Sequence, residues 1–172
     1  VIVAVDERSL LELGRWPWPR ERHVELLRKL KDAETAAVAM DILFTEPTTE
    51  YPQLDSLLAR AVTAHGAVVL PLFFSQVNRG GLREMKPIPE LAEAATAMGH
   101  VHIELDNDGI ARRAFLKQGW GEAKWPHLAV AVHRLYNTTD ALPGLVDRAV
   151  IEAPHPNAII RSHESLLPFM GP

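Results

Sequence analysis

The chain has 172 residues, enough for one domain with its own core, so a single domain over residues 1–172 is predicted. Apolar residues make up 47% and charged residues 23%, which excludes a disordered tail, a collagen-like repeat and a coiled coil. The formal charge is -4 without a run of five like charges, so no nucleic-acid partner is expected, and the absence of cysteine excludes disulfides and thiolate metal sites.

The first half of the chain is predicted to alternate strands and helices. Three apolar runs rich in β-branched residues are typical of strands buried on both faces: Val1–Asp6, Ala36–Asp41 and Ala67–Leu72. A capping box at Ser9–Glu12 predicts a short helical turn that ends at Gly14, and helices are predicted to begin at Pro19 and Pro52. This β-α-β-α-β order predicts a parallel sheet with right-handed crossovers.

The second half is predicted to extend that sheet with a hairpin. Residues 75–87 contain Asn, Gly and scattered charges, which favours an exposed loop. The segment 99–116 alternates polar and apolar residues around Asp106-Asn107-Asp108-Gly109, which has hairpin-turn chemistry. Helices are predicted to begin at Pro89 and Pro126, followed by a long loop over 137–157.

A last strand, or the approach to one, is predicted at Ile159-Ile160 and Leu166-Leu167. The predicted fold class is therefore α/β: a single domain with a central mixed, mostly parallel sheet flanked by helices, with a β-hairpin addition. The longest apolar stretch, Ala67–Phe74, is too short to span a bilayer. The chain begins inside an apolar run and without Met, so we expect it to be a piece of a longer protein.

Carboxylates follow the first two predicted strands. Asp6 and Glu7 follow the first, and Asp41 ends the second. The ends of neighbouring parallel strands border the crevice where open α/β sheets bind ligands, so a ligand or cation site is one interpretation. The other is that the carboxylates cap helices or loops by accepting backbone N–H bonds. The second is favoured, because cation sites need further oxygen ligands.

The loop Trp16-Pro17-Trp18-Pro19 is predicted to leave the same end of the sheet. Its indoles can stack on a ligand beside the Arg15 and Arg20 guanidinium groups, or they can cover the sheet end and direct the following helix. The second role is the more common one for tryptophan. If a small polar or zwitterionic ligand binds, we expect it to contact Asp6, Glu7, Arg15, Trp16, Trp18, Arg20 and Asp41.

His100 and His102 are two residues apart on a predicted strand and so share a face, together with Glu104. Zinc ligation is one interpretation of this pattern, and a solvated polar face is the other. Simple alternation already explains the pattern and favours the solvated face. Arg112-Arg113 is likewise predicted to be a solvated pair.

The sequence contains no convincing catalytic set. There is no glycine-rich phosphate loop, no Gly-x-Ser-x-Gly and no His-Glu-x-x-His, and Asp6-Glu7-Arg8 is not the Asp-x-Asp of haloacid-type phosphotransferases. No catalytic residue, metal or cofactor is therefore assigned. The alternative is a metal-dependent hydrolase that uses Asp6, Glu7 and Asp41.

Two N-terminal motifs resemble the opening of the CHASE2 domain: Val3-Ala4-Val5-Asp6-Glu7-Arg8-Ser9-Leu10 and Leu13-Gly14-Arg15-Trp16-Pro17-Trp18-Pro19-Arg20. Asp41-Ile42-Leu43-Phe44, with Glu46-Pro47, is similar to the motif after that family's second strand. Weaker matches follow: Val69-Leu70-Pro71-Leu72, Gly99-His100-Val101, Asp106-x-Asp108-Gly109 with Arg112-Arg113, Pro126-x-Leu128-Ala129 and Leu167-Pro168-Phe169-x-Gly171-Pro172. The resemblance covers nearly the whole chain.

The resemblance implies an extracytoplasmic sensory domain, periplasmic or on the outer face, of a bacterial transmembrane receptor. Such a domain is membrane-tethered in the full-length protein and precedes a histidine kinase, a nucleotide or diguanylate cyclase, or a serine/threonine kinase. The resemblance carries over no catalytic residue and names no ligand. Homodimer formation is left open, as is a third interpretation, a structural interaction domain without a ligand. The family usually continues past the motif at Pro172, so either a closing strand follows or this member is shorter.

Overall fold

The structure is a computed structural model that describes residues 1–77, 81–137 and 159–166. The helices are α1 (Glu7–Leu13), α2 (Arg20–Asp32), α3 (Gln53–His65), α4 (Pro89–Ala94) and α5 (Leu128–Tyr136). The strands are β1 (Val38–Ala39), β2 (Val68–Val77), β3 (Gly81–Met85), β4 (Ala97–His100), β5 (Arg113–Trp120), β6 (Trp125–Pro126) and β7 (Ile159–Leu166). The predicted α/β class is confirmed, and so is the last strand.

The first sheet is built around β2. β1 pairs with the start of β2 in parallel, with Val38 opposite Val68, and β4 pairs in parallel further along, with His100 opposite Leu72. β3 runs antiparallel to the last part of β2. The predicted parallel pairing of the second and third apolar runs is therefore confirmed.

The second sheet is antiparallel, in the order β6-β5-β7. One parallel bridge, between His100 and His127, joins it to β4 of the first sheet. Among the described strands, only the pairings of β2 with β1 and β4 are parallel. The prediction of a mostly parallel sheet is therefore wrong, because the second half of the chain adds strands by short antiparallel connections and not by helical crossovers.

The first apolar run is not a strand. Val1–Asp6 has no strand partner, and Ile2 is 93% exposed. Asp6, and not the predicted Ser9, is the N-cap of α1, because its carboxylate accepts hydrogen bonds from the backbone N–H and the hydroxyl of Ser9. α1 ends at Gly14 as predicted, where φ is +93°. The composition of the run indicates a preference for strand, but pairing needs a partner distant in sequence.

The predicted hairpin at 99–116 is only partly formed. Its turn exists, since the Asp106 N–H donates to the Ile110 carbonyl over 3.0 Å. A single bridge between Glu104 and Arg113 joins the two arms, and these lead into different sheets.

The segment predicted as an exposed loop, 75–87, contains the end of β2 and all of β3, which form an antiparallel pair. The predicted loop over 137–157 lies outside the described residues, apart from Asn137.

Helices cover both faces of the first sheet. On one face, α2, α3 and α4 bury Leu27, Leu58 and Leu91 against Leu70 of β2. On the other face, α5 packs Leu128 and Ala131 against Val69. Because successive side chains of a strand point to opposite faces, Val69 and Leu70 of β2 pack into the two different cores. α5 begins two residues later than predicted, because Trp125-Pro126 forms β6 and His127 becomes the N-cap.

Candidate functional site

The carboxylate of Asp6 is occupied locally. Its Oδ1 accepts from the Ser9 N–H over 2.8 Å and from the Ser9 hydroxyl over 2.6 Å, and these bonds hold the pKa of Asp6 below its usual value. The capping interpretation is thereby confirmed for Asp6. Glu7 lies in the first helical turn, where its negative charge is favourable to the helix dipole. Both side chains are exposed.

The loop after α1 presents a tryptophan pair. The rings of Trp16 and Trp18 meet edge to face, with centroids 5.6 Å apart, and the indole N–H of Trp18 donates to the Gly14 carbonyl over 2.8 Å. Trp16 also contacts the ring of buried His23, with centroids 5.7 Å apart, yet remains 42% exposed. Trp18 is thus fixed to the backbone, while Trp16 remains partly exposed to solvent.

Arg20 points into the protein. Its Nε donates to Asp55 Oδ1 over 2.9 Å, and its Nη2 donates to the Glu46 carbonyl over 2.9 Å. The Asp55 carboxylate also accepts from the backbone N–H of Thr48 over 2.7 Å. Burial raises the pKa of Asp55, but the hydrogen bonds from Arg20 and Thr48 outweigh burial, so the pKa lies below its usual value. Arg20 therefore positions α2 against α3 and the segment after β1.

Asp41 follows β1, and its charge acts on His127, the N-cap residue of α5. Asp41 is exposed, and its charge raises the pKa of His127, although burial lowers that pKa more strongly. The His127 ring contacts the ring of His100 edge to face, with centroids 5.1 Å apart. Asp41 is thus associated with a histidine pair that the sequence had not linked to it.

His100 is fully buried, so the prediction of a solvated polar face is wrong at this position. Burial lowers the pKa of His100 to about 3, aided by the neighbouring His127 and His102, and a hydrogen bond with the Phe115 backbone opposes this only weakly. His102 is half-buried, with its Nε2 3.9 Å from Glu104 Oε1. Within residues 1–77, 81–137 and 159–166, no group of three or more His, Asp or Glu side chains could hold a metal ion.

The turn at 106–109 carries a compact set of ion pairs. Arg112 donates to both carboxylate oxygens of Asp108, at 2.9 and 2.7 Å, and Arg113 donates to Asp106 over 2.9 Å. The prediction that Arg112 and Arg113 are a solvated pair is therefore wrong, because both guanidinium groups bind carboxylates of the turn. These side chains line an open depression of about 430 Å³. Because its positive and negative groups already bind each other, it offers no unpaired charge for a ligand.

The predicted ligand residues do not form one cluster. Asp6 and Glu7 lie at the start of α1, whereas Arg15, Trp16 and Trp18 follow its end. A helix of seven residues separates these groups by about 10 Å. No hydrogen bond or ion pair between described residues joins Asp6, Glu7, Arg15 or Asp41 to one another. A ligand-binding role for these residues stays a prediction.

Two well-placed polar residues were not identified from the sequence. Asp55 occupies the first turn of α3 and was assigned no role, and His127 precedes the first apolar residue of α5. Position was the only available signal for His127, since a polar residue just before a helical run is a candidate N-cap. For Asp55 there was no signal, because its partners Arg20 and Thr48 are brought together only by the fold.

The described residues form an α/β domain built on a small mixed sheet. The CHASE2 domain profile matches residues 1–170, and the chain therefore belongs to the CHASE2 domain family. CHASE2 domains are extracytoplasmic sensory domains without catalytic activity, so the chain is a sensory module. No curated protein and no solved structure matched the chain. In the part of the chain that the structure describes, no helix combines the length and apolarity needed to cross a membrane.

Proposed function

We propose that this chain is the extracytoplasmic sensing module of a bacterial transmembrane receptor, and that it couples a small external molecule to a cytoplasmic output domain. The observation that carries this proposal is the match to a sensory family over residues 1–170. A sensor must bind its stimulus with different affinity in two conformations, because only that difference shifts the receptor. It needs no nucleophile.

The surface we assign to the ligand is the loop that follows α1. Trp16 offers a partly exposed indole ring, and Arg15 is an exposed cation next to it in the chain. The hydrogen bond from Trp18 to Gly14 and the anchoring of Arg20 on Asp55 stiffen this loop, so little entropy is lost on binding. An aromatic face beside a guanidinium suits a small polar or zwitterionic molecule that carries a carboxylate.

The other predicted contacts require a rearrangement to join this surface. Asp6 is occupied as a helix cap, Glu7 lies at the far end of α1, and Asp41 lies near His127. In the proposed function they contribute only if the ligand-bound conformation brings them closer. Arg20 is a positioning residue, since its guanidinium is bound by Asp55 and the Glu46 carbonyl.

No observation favours the alternative of a metal-dependent hydrolase. Asp6 and Asp41, which that alternative needs on one metal, have separate neighbours among the described residues. The CHASE2 family is sensory and not catalytic. The proposal therefore rests on binding and conformational coupling.

A thermal-shift screen of small polar metabolites tests the proposal on the 172-residue chain. A true ligand at about one hundred times its dissociation constant adds about 2.7 kcal/mol to the free energy of unfolding. Each hit is retested on Trp16→Ala and Asp41→Asn, with Tyr51→Ala as the control, because Tyr51 is an exposed aromatic residue outside the loop. We expect Trp16→Ala to abolish the shift and Tyr51→Ala to retain it. An unchanged shift in folded Trp16→Ala contradicts the assigned surface.

A further inference from the structure

His127 connects the two sheets and also begins α5. Its backbone forms the bridge to His100, and its N–H donates to the Leu116 carbonyl of β5 over 2.8 Å. Its side-chain Nδ1 accepts a hydrogen bond from the N–H of Ala129 over 3.2 Å, which caps the helix. The backbone of His127 therefore joins the two sheets, while its imidazole ring caps the first turn of α5 and contacts the ring of His100.

The cap determines where this ring can take a second proton. Only an unprotonated nitrogen can accept a hydrogen bond, so Nδ1 is bare and the neutral ring carries its proton on Nε2. A second proton must bind Nδ1, where it replaces the acceptor with a donor that faces the Ala129 N–H. The new positive charge also lies at a helix N-terminus, which the helix dipole disfavours. Protonation of His127 is therefore incompatible with the cap.

The groups around His127 determine how readily its ring takes up a second proton. The ring of His100 packs against it from β4, and His102 lies beyond His100 with Glu104 and Arg161 as its charged neighbours. Asp41, which follows β1, is the acidic group whose charge favours protonated His127. Burial outweighs Asp41 and lowers the pKa of His127, so the cap is intact near neutral pH and is lost in acid.

Charges elsewhere on α5 are remote from this ring. His133 and Arg134 lie in the last turn of the helix, at the opposite end from the cap. His100 itself remains neutral in mild acid, since burial lowers its pKa to about 3. Of the two rings in direct contact, His100 and His127, it is therefore His127 whose charge can change while the domain is folded.

The first turn of α5 packs closely against β4, so loss of the helix cap would affect this packing. A Cβ atom on Gly99 would be 2.6 Å from the Leu128 Cα and 2.8 Å from its N, so the helix rests directly on the strand backbone. Leu128 and Ala131 pack on Val69 in the same region. When the cap is lost, this close contact is the part of the helix that must loosen first.

We propose that the start of α5 is an acid-responsive element, in which protonation of His127 removes the helix cap and loosens the helix from β4. The stimulus is the proton itself, and no small-molecule ligand is needed. The inference goes beyond the proposed function, because it concerns a different face of the sheet from the Trp16 surface and holds whether or not that surface binds a ligand.

Amide hydrogen exchange on the 172-residue chain, followed from about pH 7.5 down to the lowest pH at which α2 stays protected, tests the inference. At the lowest pH we expect the protection factors of Ala129 and Ala131 to fall at least tenfold relative to those of α2, which corresponds to about 1.4 kcal/mol. His127→Asn keeps a capping acceptor but does not titrate, so its protection in α5 relative to α2 should change less than about twofold. His133→Asn, at the other end of the helix, should behave like the unaltered chain. Equal acid-induced losses in His127→Asn and the unaltered chain overturn the proposal.

A second measurement decides the question even where a variant fails to fold. The imidazole ¹⁵N shifts of His127 in the unaltered chain should show the Nε2–H form at neutral pH. On acidification, the ring and the backbone amides of Ala129 and Ala131 should change with one common midpoint. A neutral ring protonated on Nδ1, or a ring that titrates without a change in these amides, overturns the proposal.

Discussion

The guanidinium of Arg20 and the carboxylate of Asp55 form a hydrogen-bonded ion pair of 2.9 Å between the first residue of α2 and the first turn of α3. Only 17% and 4% of the two side chains are exposed, so the pair is shielded from solvent. Asp55 also accepts from Thr48, and the Arg20 guanidinium lies 4.6 Å from the centre of the Phe44 ring. The pair therefore holds two helices and the segment after β1 in one arrangement beneath the tryptophan loop.

Arg20→Ala should lower the free energy of unfolding by about 3 kcal/mol, because it leaves a buried carboxylate without its charged partner. Denaturant unfolding at neutral pH measures this effect. The double variant Arg20→Ala with Asp55→Ala should recover part of the loss, since no unpaired charge remains. The surface pair Arg8–Glu12 is the matched control, and Arg8→Ala should cost less than about 1 kcal/mol. Similar losses of unfolding free energy in Arg8→Ala and Arg20→Ala would contradict the prediction that the Arg20–Asp55 pair is shielded from solvent.

The domain should lose stability as the pH falls below about 6.5, the usual pKa of an unfolded histidine. The folded-state pKa of His100 is lowered to about 3, mainly by burial, so below pH 6.5 the unfolded chain binds a proton that the folded chain does not. Between pH 6.5 and pH 5.0 this single group costs about 2 kcal/mol. Denaturant unfolding across that range measures the slope.

His100→Leu should flatten the pH dependence of stability, because the side chain has a similar volume and takes up no proton. His23, His65, His102 and His127 also have lowered pKa values, mainly through burial, and contribute to the remaining slope. An unchanged slope in folded His100→Leu would show that His100 is not buried as described.

Gly99→Ala should loosen α5 at neutral pH. The added Cβ would approach the Leu128 Cα to 2.6 Å, and because this is backbone, no side-chain rotation relieves the clash. We expect a cost of about 1–3 kcal/mol and a loss of hydrogen-exchange protection that is concentrated in α5. Gly109→Ala is the control: it has open space but a φ of +79°, so its strain is confined to the exposed turn. Normal α5 protection in Gly99→Ala would be incompatible with the close contact.

Ile2→Asp should change the free energy of unfolding by less than about 0.5 kcal/mol, because Ile2 is 93% exposed and outside both sheets. The same substitution at Ile88, which is only 8% exposed in the main core, should destabilise strongly by burying a charge. Thermal unfolding of both variants provides the comparison. A large loss in Ile2→Asp would mean that the N-terminal run belongs to a sheet after all.

Local signals predicted the helices well. Gly14 ends α1, α2 begins directly after Pro19, and α3 begins directly after Pro52. The end of a helix depends on the dihedral preferences and hydrogen bonds of a few neighbouring residues, and the local sequence determines both. The parallel pairing of β1 with β2 followed from the helix between them, which makes a crossover connection necessary.

The strands and the candidate site show where local signals fail. Val1–Asp6 and Val68–Val77 are both apolar and β-branched, yet only the second is paired. The alternation around His100 predicted a solvated face, whereas this ring is enclosed because the second sheet and His127 pack beside it. Arg20 was predicted to face a ligand, but it turned inward to a carboxylate 35 positions away.

By itself, the sequence determined the class of the domain, the ends of its main helices and its membership of a sensory family, because each of these depends on residue order along the chain. Only the tertiary structure decided which apolar run is paired, which histidine is buried and which charges meet. Those outcomes depend on contacts between residues far apart in sequence, and the free energy of such a contact depends on both partners and on the water that they exclude.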